Sequence, residues 1–468
     1  MLSMLFTACD ANLDINRDPD SVSDVPLKSQ MPAGIVGLIG AEGSYYALIG
    51  GFWSQYWTQS NSANQYKDID GYIIGTGDYF GAWRNMYDAL GDVRSVKRKA
   101  LATQNWNYFL IATVMEVQAS QILTDFYGAV PYSQANQISI LNPKYDSGEE
   151  IYEAMIADLN LALSKDLSTS VGDVPGADDL VFNGDLTKWT KFANTLKLKI
   201  YMRQINSSRS AIGIAGVKAL LTSGVAFLDV DAAITQFEDK ANLSNPLYET
   251  DRRQLNVSTN LRKSATLSSF FELNNDTRGD KYYGPGVALN QGDFESQVPA
   301  ASTVSVVILN PTTPAYFMSK EESLFLQAEA QARYGSGDKA LYDAAVTENF
   351  RKYGLDASSF LTGVYQYPAA GTLDQKIEAI ITQKWIAGFP GNGFEAFFDK
   401  NRTGYPRTSS VPQTSPSYIP GQIVYSLGGG TEGKKFPKRI VYPQEETNTN
   451  SNTPALLKIT EPVWWAQN

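Results

Sequence analysis

Histidine is absent from all 468 residues, and that one absence removes much of the usual catalytic repertoire. Ser-His-Asp and Cys-His nucleophilic schemes cannot be assembled, nor can His-ligated zinc or iron centres. Cysteine occurs once, as Cys9, so no intrachain disulfide or thiolate cluster can form. Basic clusters are missing as well. The 39 Lys and Arg are scattered among 49 Asp and Glu, for a net charge of −10. That balance argues against nucleic acid and anionic lipid as partners. No uninterrupted run approaches the roughly 20 apolar residues of a membrane span. Carboxylate chemistry survives these exclusions, within a sharply narrowed catalytic menu.

What the chain has in quantity is aromatic surface, with 26 Tyr and 8 Trp, together with helical periodicity. The stretch 182–203 shows it best. Asn183-Gly184 is a turn signal and Asp185 a good N-cap. Trp189, Phe192, Ala193, Leu196 and Ile200 then recur on one stripe, with small Ala193 admitting a neighbouring helix. Lys188, Lys191, Lys197 and Lys199 fall largely off that stripe, so they are expected to face water. Such a helix is built to pack against other helices.

Further helices follow from the same pattern. Residues 31–66 are rich in Gly and aromatics and read as one or two tightly packed helices, despite the helix cost of glycine. A helix starts near Trp83, and 106–126 is a long one stopped by Gly128 and Pro131. Residues 151–163 bury Ile151, Met155, Leu159 and Ala162. A helix-turn-helix covers 319–354: a first helix from Glu321 to Tyr334, a turn at Gly337-Asp338, and a second from Lys339 to Tyr353. Its length of about 34 residues and its small residues Ala328, Ala332, Ala340 and Ala344 suit a tetratricopeptide-like hairpin. Another helix, 373–388, points Ile377, Ile380, Ile381 and Trp385 inward. By contrast, 206–318 and 403–468 are dominated by loops.

Several phrases in order carry a resemblance. Gly184-Asp185 with Lys188-Trp189 and Phe192-Ala193-Asn194 precedes a Leu-Lys-Leu run. Phe126-Tyr127-Gly128-Ala129-Val130-Pro131-Tyr132 ends a helix. Pro143-Lys144-Tyr145-Asp146-Ser147-Gly148-Glu149-Glu150-Ile151-Tyr152 opens the next. Asp399-Lys400-Asn401-Arg402-Thr403-Gly404-Tyr405-Pro406 and Lys438-Arg439-Ile440-Val441-Tyr442-Pro443 follow towards the C-terminus. Asn275-Asp276-Thr277-Arg278 departs from the expected phrase by carrying Thr277 where proline is usual. Taken together the chain resembles the SusD/RagB family, outer-membrane lipoproteins of Bacteroidetes that capture nutrients for a TonB-dependent transporter. The resemblance spans nearly the whole chain.

The fold it implies is mostly α: tetratricopeptide-like helical hairpins form a scaffold, with a loop-rich irregular half packed on it. Residues 1–20 are expected to be a lipoprotein signal remnant and tether, and 21–468 a single SusD-like unit. In the same reading Cys9, behind a short apolar run, is the lipidated residue. That run is short and lacks a positive n-region, so the true start of the signal is open. The implied partners are a SusC-like TonB-dependent transporter, the outer membrane through a lipid anchor, and an oligosaccharide or oligopeptide ligand. No cofactor is expected.

For the ligand surface, the polar stretch after Trp57 stands out. Trp57, Tyr66 and Tyr72 can stack on sugar rings or peptide side chains, while Gln59 and Asn61 can hydrogen-bond hydroxyls or amides. Tyr66 and Tyr72, in polar surroundings, are expected at the surface. Tyr282 and Tyr283 are secondary candidates. The acid pairs Glu149/Glu150, Asp178/Asp179, Glu321/Glu322 and Glu445/Glu446 read as solvated caps and faces rather than a glycosidase pair, which needs two carboxyls about 5–9 Å apart across a sugar. Asp70, Gly71, Gly75, Gly77 and Asp78 match neither a calcium loop nor a phosphate loop. The expected activity is therefore binding without catalysis. A secreted carboxylate-dependent glycoside hydrolase and a protein-binding helical scaffold are the alternatives.

Overall fold

A computed structural model describes residues 25–466. Cys9 and the expected tether lie outside the described residues. Helices dominate, and the long ones pair in chain order. Leu27–Ala41 packs on Phe80–Ala102, which packs on Trp106–Tyr127; that helix in turn meets Gly148–Leu163 and Leu186–Gln204. Leu186–Gln204 continues into a hairpin with Ser210–Ser223. Lys320–Tyr334 forms another with Asp338–Lys352, and Leu373–Ala387 lies against it. These antiparallel pairs are the tetratricopeptide-like scaffold.

Local chemistry explains where the helices begin. The Asp185 carboxylate accepts from the amides of Thr187 and Lys188, satisfying two donors that no helical carbonyl can reach. Ser147 and Glu150 form a reciprocal capping box at the start of Gly148–Leu163. Asn105 caps Trp106–Tyr127, whose turns are buried almost throughout. The stripe of Trp189, Phe192, Ala193, Leu196 and Ile200 is fully buried, as its spacing requires.

Lys199 departs from the expected outward face. It is 2% exposed and its ammonium sits 2.7 Å from Glu322 and 3.1 Å from Glu395. The stripe is broad because Leu186–Gln204 is covered on more than one side, so a residue one step off the seam still lies inside. Glu321 and Glu322 are likewise buried, paired with Lys352 and Lys199, rather than forming a solvated face.

The continuous helical run Leu27–Trp53 is long and apolar enough to cross a membrane by length and composition, yet most of it is buried inside the fold. It includes a π-helical turn, Glu42–Tyr46, joining Leu27–Ala41 to Ala47–Trp53. Ala47–Trp53 crosses Gly393–Thr403 at backbone contact. A Cβ on Gly50 would stand 2.1 Å from the Phe394 nitrogen, and one on Gly51 would stand 2.0 Å from the Trp57 ring. The glycines are there to permit that approach.

Strands are few. Trp57–Gln59 pairs antiparallel with Leu261–Lys263, Val130–Pro131 with Tyr145–Asp146, and Ala232–Ile234 with Ala315–Met318. The loop-rich stretches are held by side chains instead of ladders. Tyr282, Ile423, Tyr442 and Trp465 from those stretches join the same apolar cluster as Trp189.

Candidate functional site

The side chains that the composition of the polar loop after Trp57 points to lie inside the fold. Trp57 is fully buried against Gly51, edge-on to Phe52 and Phe389. Gln59 folds its own loop, donating to the Ala63 carbonyl at 3.1 Å and accepting from the Tyr66 amide at 2.7 Å. Asn61 donates to the carbonyls of Ser296 and Pro299. The Tyr66 hydroxyl donates to Asp251 at 3.0 Å, and Tyr72 packs edge-on against Tyr425. Tyr282 stacks on Phe389 at 4.0 Å, while the Tyr283 hydroxyl donates to the Tyr56 carbonyl. None of the seven reaches solvent by more than 8%. Expected exposure of Tyr66 and Tyr72 is thus corrected, and the reason is physical. Irregular backbone leaves amides and carbonyls unpaired, and buried ones need partners, so a loop-rich half draws its polar side chains inward.

Asp70 is the hub of that arrangement. It accepts from the Thr58 hydroxyl at 2.6 Å, the Gln59 amide at 2.8 Å and the Gln291 side chain at 2.6 Å. Burial pushes its carboxyl up to about 6, against the pull of these bonds.

Two concavities flank the π-helical turn. The first is a partly open cavity of about 310 Å³, lined by Glu42, Glu321, Glu322, Lys352, Lys384 and Glu395 among others. Burial pushes the Glu42 carboxyl up to about 8. A raised carboxyl in a cavity is one mark of acid catalysis. Its neighbours deny it a partner for that work: Glu322 and Glu395 are both ion-paired to Lys199, and Glu395 also to Arg203 at 2.7 Å. The same ionic core continues through Lys384, Asp399, Arg402 and Glu329. These are structural charges.

The second is an open groove of about 780 Å³. Its floor is the small-residue side of Leu27–Ala41. Gly34 and Gly37 let that helix approach Phe80–Ala102 so closely that a Cβ on either would stand 2.8 Å from Val93 or Ala89. One wall is the polar row Asn85, Asp88 and Asp92, spaced three and four residues apart on Phe80–Ala102 and so on one face. The opposite wall comes from the segment 234–254, including Phe237, Asn242 and Gln254. The π-helical turn sets Tyr45 at the groove, half-buried and edge-on to Tyr79 at 5.8 Å. Asp92 accepts from Gln30 at 3.2 Å. The side chains of Asn85, Asp88, Asn242 and Gln254 are exposed and make no hydrogen bond or ion pair to other described residues. Two half-buried aromatic rings facing open amides and carboxylates form a surface suited to a polyhydroxylated ligand: flat apolar ring faces stack, while planar polar groups take paired hydroxyls.

Sequence reasoning missed this groove. The 85/88/92 spacing is legible, but any solvent-facing helix row looks the same, and nothing local joins it to a segment some 150 residues later.

A family model described as "Starch-binding associating with outer membrane" (SusD-like) matches residues 28–443. Among solved structures, a SusD homologue from Bacteroides uniformis is 25% identical over 95% of this chain and 100% of its own, with a TM-score of 0.74. A chitin-binding SusD homologue from Flavobacterium johnsoniae is 22% identical over 94% of this chain and 99% of its own, with a TM-score of 0.76. A structure described as a chitin-binding protein is 24% identical over 95% and 100%, with a TM-score of 0.74. No curated protein matches.

Proposed function

Since this chain belongs to the SusD-like family, described as starch-binding and associating with the outer membrane, we propose that it is a nutrient-binding protein that grips a glycan in the groove between Phe80–Ala102 and the 234–254 segment. It acts at the cell surface, anchored by lipid on Cys9, and hands its ligand to a SusC-like TonB-dependent transporter. It binds and does not cleave. The observation that carries this reading is the groove itself, where Tyr45 and Phe237 lie beside Asn85, Asp88, Asn242 and Gln254, whose side chains make no hydrogen bond or ion pair to other described residues. The chitin-binding relatives favour a glycan over an oligopeptide.

Calorimetry with malto-oligosaccharides, chito-oligosaccharides and short peptides tests the proposal, with chromatography of the same samples for products. The expected result is saturable binding of one glycan class and no cleavage. Tyr45→Ala and Asp88→Ala should each weaken binding by about tenfold, the loss of one good contact, and Asp88→Ala should do so with thermal melting unchanged. Unchanged affinity in both variants would remove the groove, and detected cleavage would remove the binding-only role. Radiolabelled palmitate incorporation, abolished by Cys9→Ala, tests the anchor separately.

A further inference from the structure

The groove between Phe80–Ala102 and the 234–254 segment carries charge of one sign. Asp88, Asp92 and Glu249 line it, and among the described residues that do so there is no lysine and no arginine. Asp88 is exposed and makes no hydrogen bond or ion pair to other described residues. Asp92 accepts from the neutral Gln30 side chain at 3.2 Å. Glu249 lies 3.5 Å from Arg253, which also holds Asp239. Other basic residues that flank the groove in sequence turn to partners elsewhere, Lys240 to Glu238 and Arg84 to the Phe80 ring.

On the other side of the π-helical turn the protein does otherwise. There Glu321 meets Lys352, and Glu322 and Glu395 meet Lys199. An acid on a convex surface is answered by water. Acids on a concave wall backed by apolar protein are answered less well, because low-dielectric walls focus their field into the space between them. The groove supplies that backing: Val36 and Leu243, which line it, are 51% and 49% exposed, and Tyr45 and Phe237 are half-buried there. A negative potential therefore covers a surface that is otherwise largely apolar. The row from Asn85 to Asp92 spans about 10 Å of helix at 1.5 Å per residue, long enough to run beside two successive sugars of a linear chain.

We propose that the groove selects oligosaccharides of amino sugars whose amines are free, and rejects acidic glycans such as polyuronates. The C–H faces of the sugar rings lie on the apolar side chains, and the ammonium groups point at Asp88 and Asp92. An ammonium–carboxylate contact is charge-assisted and about twice as strong as a neutral one, so it separates an amine from a hydroxyl at the same ring position. A carboxylate on the sugar meets like charge instead, and no basic residue lines the groove to receive it. This selection rests on glycan binding in the same groove and narrows it to one class of sugar.

The experiment is calorimetry of the whole protein at pH 6, where such amines are protonated, with hexamers of glucosamine, N-acetylglucosamine, glucose (maltohexaose) and galacturonic acid. At low salt the glucosamine hexamer should bind about tenfold tighter than either neutral hexamer, and the galacturonic acid hexamer should not bind. The gap should narrow at about 0.5 M sodium chloride, since exposed charges are screened. Asp88→Asn keeps the shape and removes the charge, so the preference for glucosamine should shrink by about threefold or more; Asp92→Asn carries the same comparison from the other acid of the row. Thermal melting of each variant checks that it is folded. Neutral hexamers binding as tightly as glucosamine, binding of the galacturonic acid hexamer, or a preference undiminished in both variants would overturn the selection while glycan binding stands. Failure of all four hexamers to bind would overturn both.

Discussion

Replacing Glu42 by glutamine isolates the cost of a carboxyl that the π-helical turn holds inside the protein. Glu42 is 1% exposed; one oxygen accepts from Gln118 at 3.2 Å and the other has no partner. Lys199, whose charge acts on it, is committed to Glu322 and Glu395. Burial therefore dominates and lifts the carboxyl from 4.5 to about 8, with Glu395 and Glu322 adding to the rise and Gln118 and Lys199 opposing it. Between those two pH values the folded protein keeps a proton that the unfolded chain has released. Stability consequently falls as pH rises through that window, by about 1.36 kcal/mol per unit and at most about 5 kcal/mol in all. Glutamine has the same shape, can keep the contact with Gln118, and never ionises.

At pH 5 the Glu42→Gln variant should match the parent closely. At pH 8.5 it should be more stable by roughly 2–5 kcal/mol, the lower figure allowing for relaxation around the charge. With an unfolding entropy near 2.1 cal/mol/K per residue, that corresponds to a melting point about 2–5 °C higher for a chain of this length. Paired melts by circular dichroism at the two pH values read the difference directly. A difference independent of pH would refute the argument. So would a variant less stable than the parent at pH 8.5, because Glu42 would then be ionised and paired with Lys199.

Three other substitutions test what holds the fold. Arg402 is 1% exposed and bonds both oxygens of Glu329 as well as Asp399. Arg402→Met removes the cation that two buried carboxylates share, leaving Asp399 with Lys384 and Arg203 and Glu329 with Arg333, and should cost about 2–4 kcal/mol in urea unfolding. Arg407→Ala, which breaks a surface pair with Glu378, should cost less than about 1 kcal/mol, and equal losses would contradict the assigned burial. Gly51→Ala forces a Cβ to within 2.0 Å of the Trp57 ring, so at least about 1–3 kcal/mol of overpacking is expected, with a changed tryptophan emission spectrum. An unaltered melt and spectrum would mean that Trp57 does not occupy this slot.

Much of the scaffold could be read from local signals. The Asp185 and Ser147 caps act over two or three residues, and the Trp189-to-Ile200 stripe over one helix, so each can be recognised without knowing what covers it. The helical hairpin at 319–354 was legible for the same reason, as were the ordered phrases that mark the family. The candidate groove was not, because its two walls come from Asn85–Asp92 and from 234–254, and only packing brings them together.

On its own, then, the amino-acid order determined a histidine-free helical scaffold of one recognisable family, through contacts that close within a few residues. Which side chains meet water was decided later, by partners far along the chain. Tyr66 turns inward because Asp251 receives its hydroxyl, Asn61 because 296 and 299 offer carbonyls, and Lys199 because Glu395 lies across from it. Burial is a property of the assembled neighbourhood, and polarity alone does not report it.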